Sequence, residues 1–319
     1  MAPPLTGPLS RHDARLDGGP ARPSAWGDGL LRALTLAASA AVVVCVGAVC
    51  VYLVLAMLGR GADASSTFSV SWSPALGRHG LLPLAFGTVA AALLGLLLSA
   101  PIGILAAIWI IEVAPPRLSG PARTLVDVLA TLPGVLFGVW GRSVVVPFVR
   151  GELAPLFSSE PSAGFGAVSA GIVLAAMILP TITSLACGAL AAVPPSLRET
   201  AVALGGERWD VIRHAVLPVA RAGLWGSVAI GLGRALGESI AVEMVCGSSP
   251  LWPESAFSPF STLGAVLVDE TIDATRVDHI GALAAAALWL SALSIPALLV
   301  GRRLQRRANP GLDHRDAPA

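Results

Sequence analysis

The sequence predicts an all-α integral membrane protein with six transmembrane helices. Three observations carry this. Only 13% of the 319 residues are Asp, Glu, Lys or Arg, while 55% are apolar, and a soluble domain averages about 25% charged residues. Six stretches supply the roughly 20 mostly apolar residues that a membrane span needs. The arginines concentrate in alternate connections between those stretches, the asymmetry that orients a chain in a bilayer.

In chain order, residues 1–29 are rich in Pro, Gly, Arg and Asp. They lack the early apolar core of a signal peptide and read as a disordered cytoplasmic tail. The spans follow at about 30–58, 81–111, 124–149, 165–193, 222–246 and 279–300. Asp127, Pro133 and Arg142 interrupt the third, which is expected to be broken or buried among neighbours. With the N-terminus inside, fifteen arginines fall in cytoplasmic segments and four outside; Arg142 and Arg234 lie within spans. Both termini are therefore expected in the cytoplasm, with the 194–221 loop. The membrane domain covers 30–301, and 302–319 form a cytoplasmic C-terminal tail. Small residues recur at helical spacing, as in Gly95-x-x-x-Ser99-x-x-x-Gly103 and Gly233-x-x-x-Gly237, a pattern that lets helices approach closely.

All 21 positive residues are Arg, so the chain has no Lys. That excludes a phosphate-binding G-x-x-x-x-G-K-[ST] loop and any lysine Schiff base. If ATP is used, another chain hydrolyses it. A net charge of +1 gives no sign of a nucleic-acid partner. Cys45, Cys50, Cys187 and Cys246 sit in or at the ends of apolar runs and read as small buried hydrophobes, without zinc spacing. The five His lie in tails, loops or at segment ends, which speaks against an intramembrane histidine relay or metal cluster.

Two segments carry functional information. In the 194–221 loop, Pro194-Pro195 ends a span, and Ser196 with Glu199 has the spacing of a capping box. Leu197, Ala201 and Leu204 repeat at helical spacing, Gly205-Gly206 breaks the helix, and Trp209, Val211, Ile212 and Val216 begin a second apolar stretch before Leu217-Pro218. The result is a short cytoplasmic helix-turn-helix, shaped either to enter a partner's groove or to lie on the membrane surface. In span five, Arg234 and Glu238 lie four residues apart, about 40° apart in projection on a continuous helix. Intramembrane charges must be paired or wet. The two are expected either to neutralise each other or to line a pathway, where an Arg fork matches a multiply charged oxyanion.

The order Glu199-Thr200-Ala201, Gly205, Ile212 and Leu217-Pro218 resembles the EAA loop of bacterial ABC-importer permeases, with Thr200 where Ala is usual. The phrase GLGRALGESIAV around Arg234 and Glu238 resembles permeases of the phosphate-specific importer, and Gly138-Val139-Trp140-Gly141 and Phe86-Gly87-Thr88 fit its C-type subunit. The likeness covers roughly residues 65–305. It implies a type I ABC-importer permease fold with a cytoplasmic coupling helix. It also implies ATPase docking by Glu199, Thr200, Ala201, Leu204, Gly205, Leu217 and Pro218, and a substrate pathway at Arg234 and Glu238. The implied partners are a second permease, two cytoplasmic ATPase subunits that carry ATP and Mg, and an extracytoplasmic phosphate-binding protein. The chain itself would bind no cofactor, catalyse nothing, and reside in the bacterial inner membrane. Gly134 stands where Ser is common, Arg142 where an apolar residue is usual, and Glu243 is unusual. Arg142 is expected to reach the headgroups. Glu243, nine residues from Arg234, is expected on the opposite helix face, near the outer mouth or a partner. Asp127 is expected to pair with Arg123.

Other readings are sulfate or molybdate import by the same machine, an ion-coupled secondary transporter, and an intramembrane enzyme. The last two fit poorly: few carboxylates or His lie in the spans, and no G-x-S-x-G or H-E-x-x-H motif is present.

Overall fold

A computed structural model describes residues 25–59, 68–157 and 161–308. The chain divides into two units, Met1–Cys50 and Val51–Ala319. In the described part of the first unit, helix α1 (Ala25–Gly59) begins. Its leucines and valines, such as Leu34 and Val43, are exposed, and so are Cys45 and Cys50. Those two cysteines are therefore not the buried hydrophobes the sequence suggests. A helix apolar on every side is a membrane-type helix whose surface faces lipid or another chain.

The second unit opens on a short hairpin, β1 (Trp72–Ser73) and β2 (Arg78–His79). Helices follow as α2 (Leu82–Val113), α3 (Pro116–Ala130), α4 (Gly134–Phe157), α5 (Ala167–Ala191) and α6 (Pro195–Ala203). The chain continues with α7 (Arg208–Leu236), α8 (Ile240–Cys246), α9 (Leu263–Glu270) and α10 (Val277–Ala308). Among the described residues five helices are long and apolar enough to cross a membrane, or six if the bent pair α3–α4 counts as one broken span.

Two predicted spans need correction. The third is broken, one of the two outcomes expected of it, and does not run unbroken from 124 to 149: residues 124–130 belong to α3, and α4 leaves it at an angle of 89°. Pro133 removes a backbone donor and disfavours helical geometry at the residue before it, and here the helix ends instead of running on. The fifth is not continuous over 222–246. It begins at Arg208, within the expected loop, and breaks at residues 237–239. Of the predicted tails, residues 1–24 and 309–319 lie outside the described residues. Residues 25–29 open α1, and 302–308 continue α10.

Helix α5 is the centre of the second unit, with Ala170, Val173, Leu174, Met177, Ile178 and Ile182 buried. Helix α2 lies against it along the predicted small-residue stripe. A Cβ on Gly95 would sit 2.8 Å from the Leu174 Cβ, one on Gly103 3.2 Å from Ile182, and Ser99 between them is fully buried. Helices α7 and α10 meet the same way. A Cβ on Gly226 would lie 2.9 Å from the Gln305 backbone nitrogen, and one on Gly301 2.8 Å from that of Ile230. Gly233 packs on Leu298, whereas Gly237 touches only carbonyls of its own helix and serves as its end.

Candidate functional site

The two helix breaks lie side by side. One separates α3 from α4 at residues 131–133, and the other separates α7 from α8 at residues 237–239. Arg234, in the last turn of α7, reaches across to the first. Its Nη1 donates to the Ala130 carbonyl at 3.2 Å and to Thr181 Oγ1 at 2.6 Å. Ala130 is the last residue of α3, so the guanidinium meets the negative end of that helix. Its Nε and Nη2 have no hydrogen-bond partner among the described residues, which leaves half of the planar fork open.

Glu238 lies within the second break. Its Oε1 accepts from the Ala241 amide at 3.1 Å, so the carboxylate sits at the positive end of α8. It also rests on Gly134, where a Cβ would come within 2.8 Å of Oε1. Gly134 is thus the floor beneath the carboxylate. No ion pair joins Arg234 to Glu238 among the described residues, and the common helix face expected of them does not exist. The predicted opposition of Glu243 to Arg234 lapses with it. Glu243 lies on α8 and accepts from Ser248 Oγ at 3.1 Å.

The glycines of the Gly138-Val139-Trp140-Gly141 motif have a packing role. Gly138 faces Ala241 and Met244 of α8, and Gly141 faces Val173 and Val245. In Phe86-Gly87-Thr88, Gly87 packs on Phe260 and the Ser261 carbonyl, and Thr88 Oγ1 accepts from the Leu263 amide at 3.0 Å. Asp127 does not pair with Arg123; it accepts from Ser184 Oγ of α5 at 2.5 Å. The Arg142 guanidinium lies 5.7 Å from the centre of the Phe165 ring, a cation–π arrangement.

The second region is the 194–221 loop. Helix α6 starts on Pro195, and the expected Ser196–Glu199 capping box does not form; Ser196 O accepts from Thr200 Oγ1 instead. Capping falls later, where Asp210 Oδ2 accepts from the Glu207 amide at 3.2 Å. Gly205 has φ of +86°, and its absent Cβ would meet open space, so backbone conformation alone demands glycine there. The apolar face expected of Leu197, Ala201 and Leu204 divides. Ala201 packs inward with Leu217 against a cluster that includes Val211 and Val216. Leu197 is 39% and Leu204 85% exposed, alongside exposed Val202 and Trp209. Glu199, Thr200 and Pro218 are also exposed. A π-helical segment, Val211–Val216, precedes Leu217-Pro218. It widens the turn where Pro218 can offer no donor, and the helix runs on.

Residue-by-residue reading of the sequence missed the inner face of this loop. Arg198 ion-pairs with Glu112 at 2.8 Å and donates to the carbonyls of Val193 and Leu190. Arg208 donates to the carbonyls of Glu112 and Val113. A single acid at the end of span two, set against a loop rich in Arg, was the available signal. Also missed was a cluster at the hairpin. Glu270 accepts from Trp72 Nε1 at 2.8 Å, its other oxygen lies 2.7 Å from His279 Nε2, and His79 stacks on His279. Among the described residues no three His, Cys, Asp or Glu side chains are grouped to hold a metal ion.

Together, the long apolar helices define a multi-span membrane protein. The chain belongs to the family described as the binding-protein-dependent transport system inner membrane component, which matches residues 99–310. It is 33% identical over 299 residues to the phosphate transport system permease protein PstC of Mesorhizobium japonicum, covering 88% of this chain and 90% of the relative. Its fold is similar to a chain of the bacterial alginate ABC transporter in complex with an alginate-bound periplasmic protein, with a TM-score of 0.61 at 19% identity over 88% of this chain and 96% of that one. A chain of the MetNI methionine ABC transporter gives a TM-score of 0.56 at 18% identity, covering 75% of this chain and 99% of that one.

Proposed function

We propose that this chain is the permease subunit of an ATP-driven importer that moves inorganic phosphate into the cell. The observation that carries the reading is the 33% identity to a phosphate permease across nearly the whole of both chains. The local geometry supports it. Arg234 presents open donors beside two helix breaks, and a planar guanidinium suits a phosphate oxyanion. Half-helices that end inside a membrane protein are a recurrent way to meet a charged substrate.

In this reading an extracytoplasmic binding protein delivers phosphate, and a second, related permease completes the pathway. Two cytoplasmic ATPase subunits bind ATP and Mg and grip the exposed face of the 194–221 loop through Glu199, Thr200, Leu204 and their neighbours. Closing of the ATPase pair moves that loop and changes which side of the crossing is open. The chain itself forms and breaks no covalent bond. The arginine distribution favours both termini in the cytoplasm.

The test is uptake of labelled phosphate at low external concentration, in a host that lacks its own high-affinity importer and carries this chain with its neighbouring subunits. Uptake is expected in wild type. An assembled complex that hydrolyses ATP but takes up sulfate or molybdate instead would overturn the choice of ion.

A further inference from the structure

The exposed face of the 194–221 loop would meet the ATPase, but a force applied there is useful only if the loop is fixed to the membrane helices. Its inner face shows how. The Arg198 guanidinium, on the first turns of α6, has every nitrogen engaged. Nε lies 3.3 and 3.4 Å from the two Glu112 carboxylate oxygens, and Nη2 lies 2.8 Å from Oε1. Nη1 donates to the Val193 carbonyl at 2.6 Å, and Nη2 also donates to the Leu190 carbonyl at 2.9 Å. Leu190 belongs to the last turn of α5, and Val193 follows its end. One side chain thus joins the coupling helix to the ends of α2 and α5.

The joint is protected. The Glu112 side chain is only 10% exposed and that of Arg198 24%. Beneath it, Ile110, Leu190, Val193 and Val211 are buried together. The Glu112 backbone is held independently, because Arg208 Nε and Nη2 donate to its carbonyl at 3.0 and 2.6 Å. Ser119 Oγ donates to the Ile110 carbonyl at 2.9 Å and ties α3 to the same turn. A half-buried guanidinium that bonds one carboxylate and two helix-end carbonyls is directional and stiff; a solvated surface pair is neither. The line continues inward, since α5 carries Thr181, the residue that accepts from Arg234.

We propose that Arg198 and Glu112 form the strut through which movement of the coupling helix is passed to α2 and α5. They are positioning residues: their side chains are engaged with each other and with helix-end carbonyls of this chain. The proposal rests on the reading of the chain as an ATPase-coupled permease. Without the strut, α6 is left with its short apolar face at Ala201, while Arg208 holds only the start of α7, and the loop yields when pushed.

The test uses the whole transporter with its ATPase and binding protein, reconstituted in proteoliposomes. Labelled phosphate uptake and ATP hydrolysis are measured together for wild type, Arg198→Gln, Glu112→Gln and Arg198→Lys. The readout is phosphate moved per ATP hydrolysed, a ratio that mere loss of assembled protein leaves unchanged. Arg198→Gln and Glu112→Gln are expected to hydrolyse ATP while the ratio falls about fivefold to tenfold, the scale of coupling that residues remote from both ligands exert. Arg198→Lys, which keeps the charge but not the fork, is expected to fall in between. A wild-type ratio in the two neutral variants, whether or not total activity drops, overturns the proposal. If wild type itself moves no phosphate, the reading of the substrate has failed and not the strut. The strut is then read from stimulation of ATP hydrolysis by the binding protein, expected to be lost in Arg198→Gln; retained stimulation overturns it.

Discussion

Arg234 lies in the last turn of α7 and Glu238, four residues on, lies within the break that follows, and each is held by a helix end and not by the other's charge. Arg234 bonds the last carbonyl of α3, and Glu238 caps the first turn of α8. Each charge is therefore stabilised without consuming the other. That is what a crossing needs if an ion is to enter between them and leave again, since a tight mutual pair would first have to be broken.

Replacing Arg234 by Gln is accordingly expected to abolish most uptake while the complex still assembles. A charge-assisted hydrogen bond is worth about 2 kcal/mol, so a fall of about 30-fold is anticipated. Arg234→Lys should recover little, because an ammonium cannot keep Ala130 and Thr181 and still present a planar fork. Near-normal uptake by Arg234→Gln in vesicles of matched protein content would remove Arg234 from the pathway.

The exposed face of the coupling loop can be tested apart from transport. Leu204 is 85% exposed and contributes little to the chain's own packing, so Leu204→Asp should leave thermal stability within about 0.5 kcal/mol of wild type. Burying a new, unpaired charge in the ATPase groove should weaken docking about tenfold or more. Co-purification of the ATPase at wild-type yield would show that Leu204 lies outside the interface.

The contact between α7 and α10 leaves no room for side chains. Gly301→Val would bring atoms onto the Ile230 backbone, which cannot rotate away. Overpacking of this kind costs about 1–3 kcal/mol, read as a lowered unfolding temperature in detergent. Gly188 of α5 is the control. A Cβ there meets nothing within 4 Å, and Gly188→Ala should be neutral or stabilising by about 0.5–1 kcal/mol.

The hairpin should respond to pH. Burial lowers the pKa of His79 from its ordinary 6.5, with Arg276 and His279 acting in the same direction and Asp278 and Glu270 opposing. His79 Nε2 is buried without a hydrogen-bond partner among the described residues. The unfolded hairpin therefore takes up a proton before the folded one does, and stability falls as pH drops below about 6.5 until the lowered value is passed. Hydrogen exchange over residues 72–80, corrected for intrinsic rates, should quicken between pH 7.5 and 5.5 in wild type and much less in His79→Gln. Equal pH responses in the two would show that another group governs the segment.

Much of the fold is legible in the sequence because a bilayer constrains it so strongly. The apolar stretches, the small-residue stripe on α2, the break at Pro133 and the turn at Gly205-Gly206 follow from solvation and backbone rules that act over a few residues. The break at 237–239 is not legible in that way. Gly237-Glu238-Ser239 sits inside an apolar run that reads as one helix, and only the packing of Glu238 on Gly134 and of α8 on Gly138 shows why the chain parts there. The coupling loop is half legible. Its glycine and proline positions declare themselves, but Arg198 and Arg208 count in the sequence only as two more cytoplasmic charges.

By itself the sequence determined that this is a polytopic membrane chain without the lysine of a P-loop, and it pointed to the two segments on which the proposed function rests. Those facts depend on composition and on patterns within one segment, which local physical chemistry controls. The tertiary structure alone decided the partners of the charges: Ala130 and Thr181 for Arg234, the α8 terminus for Glu238, Ser184 for Asp127 and Glu112 for Arg198. Where water is scarce each charge must find a partner or another route to solvent, and the nearest partner is set by which helix ends meet. That meeting is a property of packing between segments far apart in the chain, such as Glu112 and Arg198, and no local pattern encodes it.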